Sequence, residues 1–344
     1  LRTRWVPPGR GREPDEIASA AEGRFRAAIR PRGPIGGEDV HLFLPIALAS
    51  VSIPLMIAVG GVVGLLSGLF GVGGGFLLTP LLMFLGISPI VAAASGSAAI
   101  VAAGTTGTLE HSRAGTVDFK MGLTLFAGGA IGSVAGVELL RQLNRLGPAN
   151  SVIRVLYVVM LGTIGSLMLA ESVRTWLRGS YLSGRRFQPL PRRTWIDSLP
   201  GRMEFPKSEI EVSFLVPVAL GIVGGILAAL MGVGGGFVMV PLMLYVLRMR
   251  MHVVAGTSLL QILFTTVLVT VLQATQNHTV DFVLALLLAI GSTAGAVVGT
   301  RWGRRLRADQ LKIVLALVVL AVAGKVTVDL LQTPSVLLSH VAGE

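Results

Sequence analysis

The groups in this chain best placed to do chemistry are backbone groups. The stretch GVGGGF stands at residues 71–76 and again at 232–237, and a proline follows each phenylalanine by four positions, at Pro80 and Pro241. Glycine costs a helix about 1 kcal/mol relative to alanine, yet both copies sit inside long apolar runs. Such a run predicts a stop: one helix ends, the glycines turn, and a new helix begins. The first N–H groups of the new helix have no helical acceptor, and its positive dipole end favours an anion. Glycine also lets a guest come close to the backbone. The candidate ligands are therefore Gly73, Gly74, Gly75 and Phe76 in the first copy and Gly234, Gly235, Gly236 and Phe237 in the second. The competing reading is tight helix packing, the usual work of small residues in membrane helices. A dinucleotide loop is excluded, because G-x-G-x-x-G needs glycine where Phe76 and Phe237 stand.

Small polar residues open the next block of each half, SGS at 95–97 and GTS at 256–258. Hydroxyls bind oxyanions without burying a charge, so Ser95, Ser97, Thr257 and Ser258 join the candidates, with Gln261 one turn beyond Thr257. Asp118 and Asp281, in two TVDF segments, suit the first turn of a helix; proton coupling is their alternative role. Lys325 and Asp329 are spaced to pair along one helix. There is no HExxH, no G-x-S-x-G and no carboxylate cluster at depth. The expectation is a protein that is not an enzyme, with no catalytic residue, no metal site and no cofactor.

The elements that must position these residues follow from composition. Of 344 residues 52% are hydrophobic and 14% charged, against about 25% charged in a soluble domain. Apolar blocks of roughly 20 residues match a hydrocarbon core about 30 Å thick, and they lack the alternation of a transmembrane barrel. The fold class is all-α integral membrane, with 8–10 hydrophobic segments. The net charge of +11 lies mostly in the tail, the linker and the loops, as contact with lipid headgroups requires. Nothing suggests a nucleic-acid surface. Cysteine is absent.

Residues 1–41 form a polar, basic tail expected to be disordered and not a signal peptide; 333–344 form a short second tail. Between them lie a transmembrane repeat at 42–170, a polar linker at 171–210 holding Arg185, Arg186, Arg192 and Arg193, and a second repeat at 211–332. GVGGGF, TVDF and the IGSVAG/IGSTAG pair each recur about 160 residues on, which reads as an internal duplication. The block after each GVGGG is short, about 16 Å of helix or half a bilayer. Paired broken helices point to a transporter's midplane site. IGSVAG and IGSTAG read as packing faces. Charge does not settle orientation: the halves are inverted if each short block returns the chain fully and parallel if it does not, with inversion the preferred reading.

On the duplicated GVGGGF…P motif, the SGS and GTS openings, the TVDF loops and the GSxxG repeats, the chain resembles the TauE/SafE family of membrane transporters, the sulfite exporters, over about residues 42–332. The resemblance implies a permease for small anions such as sulfite or organosulfur anions, multi-pass in a bacterial inner membrane. The expected partners are a small anionic substrate and the bilayer, with no nucleic acid; the sequence sets no oligomeric state. Other readings of the same residues are a passive anion channel and a non-transporting scaffold that acts through the basic linker.

Overall fold

The computed structural model describes residues 41–44, 46, 49–70, 74–177, 200–303 and 308–331, all within one compact unit, Val40–Glu344. The tail at 1–40, the arginines at 185–193, Gly73 and the end of the chain from 332 lie outside the described residues. The element order is a strand pair, β1 (His41–Leu44) and β2 (Ala49–Ser52), then helices α1 (Ile53–Phe70), α2 (Gly75–Phe84), α3 (Pro89–Arg113), α4 (Phe119–Leu146) and α5 (Ala149–Leu177). The same succession follows: β3 (Arg202–Phe205), β4 (Ile210–Ser213), α6 (Leu215–Met231), α7 (Gly236–Tyr245), α8 (Met251–Leu272), α9 (Phe282–Gly303) and α10 (Ala308–Leu331). A single π-helical turn, Gln273–Asn277, extends α8.

The chain is an all-α membrane protein. Among the described residues five stretches are long and apolar enough to cross a bilayer: Pro89–Arg113, Phe119–Leu146, Ala149–Leu167, Val253–Asn277 and Phe282–Gly299. α2 and α7, at 10 residues each, span about 15 Å.

Three local features depart from the sequence reading. His41–Leu44 and Ala49–Ser52 do not open the first apolar helix; they pair as antiparallel strands in which Leu44 faces Ala49. The polar–apolar alternation of ASVS suits a strand, and Pro54 fixes the first turn of α1. The second hairpin, with Phe205 facing Ile210, occupies the end of the range read as linker, and α5 runs on to Leu177. Pro80 and Pro241 lie in the second turn of their short helices, whereas proline is best tolerated in the first turn. The helices start at Gly75 and Gly236, earlier than the prolines suggest, and the missing proline N–H leaves the carbonyl four residues back without its helical donor.

Glycines set the helix seams. A Cβ on Gly64 would fall on the carbonyl of Ser292, one on Gly291 on that of Ile57, and one on Gly295 on that of Gly61. The α4–α6 seam repeats this, with Gly132 against the Ile222 carbonyl and Gly225 against that of Gly129. Small residues allow this backbone approach, which is the packing role expected of IGSVAG and IGSTAG. The first helix of each half thus lies on the fourth helix of the other.

The same contacts give helix directions. Gly60 meets Leu288 and Gly64 meets Ser292, so α1 and α9 run parallel; Gly128 meets Val218 and Gly132 meets Ile222, so α4 and α6 do too. Gly104 meets Leu263 while Gly107 meets Leu259, so α3 and α8 run antiparallel. The third helices of the two halves therefore point opposite ways.

Candidate functional site

Both GVGGG segments break their helices. α1 stops at Phe70 and α2 starts at Gly75; α6 stops at Met231 and α7 starts at Gly236. The residue ahead of each short helix is left-handed, Gly74 at φ 53° and Gly235 at φ 74°. A side chain there costs about 1–2 kcal/mol, so glycine is the residue that permits the turn. Leu77 N donates to Gly74 O at 3.2 Å and Met239 N to Gly235 O at 2.9 Å. Among the described residues no backbone carbonyl accepts from Gly75, Phe76, Gly236 or Phe237.

The two breaks meet. The Phe76 and Phe237 rings stack with centroids 4.4 Å apart and planes at 15°, both buried. A Cβ on Gly75 would lie 3.1 Å from the Cα of Val233, in the opposite turn. A Cβ on Gly232 would fall on the Ala93 carbonyl of α3. The carbonyl of Met231, last residue of α6, accepts from Tyr157 Oη at 2.5 Å and Thr79 Oγ1 at 3.3 Å. Tyr157 is a fully buried brace that sequence reasoning missed; a lone tyrosine in an apolar run carries no signal of the distant carbonyl it serves.

A cavity of about 10 Å³ lies beside Gly74, room for about one water. Ser67, Gly74, Ile100 and Ser292 are among its lining residues. Ser67, one turn ahead of the break, is another group the sequence reading passed over.

The hydroxyl candidates divide. Ser95 Oγ accepts from the N–H of Asp281 at 2.9 Å, and Thr257 Oγ1 accepts from that of Asp118 at 3.0 Å. Each hydroxyl thus holds the start of a helix from the opposite half. Ser97 donates to Ala93 O and Ser258 to Ala255 O, both at 3.0 Å within their own helices. Gly96, between the serines, is the residue of that segment that lies toward Thr79 and the Gly232 carbonyl. Gln261 is buried, with Nε2 donating to Thr265 Oγ1 at 2.9 Å and Oε1 unpaired; it lies against Gly129 of α4 rather than against a glycine turn.

The two aspartates cap helices. Asp118 Oδ1 accepts from Met121 N at 3.0 Å, and Asp281 Oδ1 from Leu284 N at 3.1 Å. Asp118 Oδ2 also takes the N–H and hydroxyl of Ser208, at 3.1 and 2.5 Å, which docks the second hairpin onto α4. Arg250 pairs with Glu209 of the same hairpin. Lys325 does not pair with Asp329; its Nζ sits 4.1 Å from the centroid of the Phe84 ring, at the end of α2. Among the described residues no group of three or more acidic or imidazole side chains could hold a metal.

Apolar spans packed backbone to backbone, with two helices broken at facing glycine turns, define a polytopic helical membrane protein of the transporter class. Residues 56–326 match the family described as Sulfite exporter TauE/SafE, and the chain belongs to that family. It is 26% identical over 280 residues to the probable membrane transporter protein YunE of Bacillus subtilis, covering 79% of this chain and 96% of the relative. It is 28% identical over 281 residues to the probable membrane transporter protein YjnA of the same organism, covering 79% and 97%. A shorter stretch, 134 residues at 28% identity, matches Sulfite exporter TauE/SafE family protein 2 of Arabidopsis thaliana, covering 38% of this chain and 28% of that one. No solved structure matches.

Proposed function

We propose that the chain is a secondary transporter, an exporter or permease for small anions such as sulfite or organosulfur anions, in a bacterial inner membrane. The observation that carries this is the meeting of two short-helix N-termini, where the N–H groups of Gly75, Phe76, Gly236 and Phe237 find no backbone acceptor among the described residues. Two positive helix ends converging in apolar surroundings favour an anion and cost little when one is bound. The family supports sulfur oxyanions as the class. Gly74, Gly234 and Gly235 shape the turns, Ser97, Ser258 and Gln261 stand as second-rank ligands, and Ser95 and Thr257 act by holding the surrounding helices. Alternating access then comes from relative movement of the packed helix groups around the turns.

The test is flux through purified protein in proteoliposomes, with sulfite and a set of sulfonates inside. Saturable flux with competition among the anions is expected. Non-saturating flux would mark a channel, and folded protein inert toward every anion would end the proposal.

A further inference from the structure

Two polar side chains on the seam between α4 and α8 are sealed from solvent and short of partners. Gln261 and Ser133 are fully buried, and among the described residues neither Gln261 Oε1 nor Ser133 Oγ has a hydrogen-bond partner. A Cβ on Gly129 of α4 would come 3.1 Å from Thr265 Oγ1 and 3.5 Å from Gln261 Nε2. Ser133 stands one turn further along α4. It lies between two other contacts with α8, the Phe126–Phe264 ring pair and the apolar cluster that joins Val137 to Val269. Gln261 Nε2 donates to Thr265 Oγ1 at 2.9 Å. Turned over, the amide would accept from the Thr265 hydroxyl through Oε1 and set Nε2 toward the seam. In either orientation one end of the amide lacks a partner.

The corresponding seam of the first half does without these groups. Gly64 packs on the Ser292 carbonyl as Gly225 packs on that of Gly129, so Ser292 and Ala296 stand where Gly129 and Ser133 do. Ser95 and Thr257 hold the N–H groups of Asp281 and Asp118, so Ala99 and Ala103 stand where Gln261 and Thr265 do. Ala99, Ala103 and Ser292 line the cavity beside Gly74, and the Ser292 hydroxyl is spent within its own helix, on the Ala289 carbonyl at 3.2 Å. Alanines therefore suffice for the packing at this place. The second half instead keeps a buried amide and a buried hydroxyl that the fold leaves unsatisfied. Such groups cost stability and call for a reason, and a local rule broken without structural gain marks a functional position.

From these observations we infer that Gln261 and Ser133 form a second anion subsite, apart from the glycine turns, where the amide and the hydroxyl donate to the oxygens of a small oxyanion passing along the α4–α8 seam. This rests on the transporter reading and deepens it. Thr265 orients the amide by accepting from it or donating to it. The orphaned groups gain their partners when α4 moves against α8 and the anion enters between them. Neutral donors suit a waypoint, because a site on a conduction path must bind well enough to admit its guest and weakly enough to release it.

The experiment is sulfite flux in proteoliposomes with full-length wild type, Gln261→Leu and Ser133→Ala, together with thermal unfolding of each in detergent. Wild type is expected to give saturable flux. Each variant should raise KM for sulfite by about tenfold or more, the loss of a hydrogen bond to a charged group. Its unfolding temperature should stay the same or rise, since an apolar group replaces an unpaired polar one. Thr124→Ala, which removes an α4 hydroxyl bonded to the Lys120 carbonyl of its own helix, should leave KM unchanged. Should Gln261→Leu not fold, Ser133→Ala, the loss of a single oxygen, carries the test. Unchanged KM in the variants, or an equal change in Thr124→Ala, overturns the subsite, while saturable wild-type flux leaves the transporter reading standing. A lower unfolding temperature without a change in KM assigns the two groups to the fold and overturns the subsite too. Absence of saturable wild-type flux ends the transporter reading and the subsite with it.

Discussion

Adding one methyl group to Gly235 separates two costs that the glycine turns combine. At φ 74° an alanine is strained by about 1–2 kcal/mol. Its Cβ would also lie 2.8 Å from the carbonyl oxygen of Gly224, a backbone atom that cannot rotate away. Overpacking of this kind adds about 1–3 kcal/mol, so Gly235→Ala should destabilise by about 2–5 kcal/mol. Gly86 supplies the control. Its φ is 88°, but nothing lies within 4 Å of an added Cβ, so Gly86→Ala should cost only the strain, about 1–2 kcal/mol. The assay is thermal unfolding of both variants in one detergent, with anion flux measured in parallel. Gly86→Ala should keep its flux and Gly235→Ala lose it. Equal destabilisation by the two would mean that the Gly235 turn is not walled by α6, and the close approach of α6 and α7 would have to be abandoned.

Three further outcomes follow from the same geometry. The chain has no cysteine, so single cysteines report sidedness directly: the ends carrying Arg113, Lys120, Arg250 and Arg301 share one face, which the positive-inside bias makes cytoplasmic. A cysteine at Glu211 should thus be labelled from the cytoplasm and one at Gly147 from outside. Thr257→Val removes the acceptor of the Asp118 N–H and should destabilise by about 1–3 kcal/mol, the penalty of a buried donor left unpaired, read as a lower unfolding temperature. A Cβ on Gly104 would lie 3.7 Å from that of Leu263, within disulfide range; the double cysteine variant should cross-link on mild oxidation, and failure to do so would contradict the α3–α8 register.

How far the sequence could be read depended on whether the signal was local. Four glycines in five residues announce a helix stop wherever they fall, and the left-handed Gly74 and Gly235 stand directly ahead of the new helices. The small residues of IGSVAG and IGSTAG likewise have few uses in a membrane helix besides packing. Strands of four residues beside an apolar helix were hidden, because ASVS is too short for its alternation to stand out against the run that follows. The tasks of Ser95 and Thr257 were hidden for another reason: their partners, Asp281 and Asp118, are more than a hundred positions away. Tyr157 belongs with them. Its role arises only when the fold brings the Met231 carbonyl beside it.

The seams bear on how such a protein could move. Along α1–α9 and α4–α6, carbonyl oxygens stand where a methyl group would have to go, and each pair joins helices from different halves. The halves of the sequence are therefore poor candidates for rigid bodies; separating them would open both backbone seams at once. The α3–α8 contact is different in kind. Gly107 faces the Leu259 side chain at 3.0 Å, and Gly104 faces the Leu263 Cα at 3.6 Å, an ordinary van der Waals contact, so no carbonyl blocks this seam and the Leu259 side chain can repack as the helices slide. Motion on the transport proposal would then carry α1 with α9 and α4 with α6, shearing across α3 and α8. The glycine turns lie beside that plane, with Gly232 against Ala93 of α3 and Gly234 against Ile262 of α8. A shear there would change the walls of both turns together, whereas a movement confined to one half would have to break a seam first.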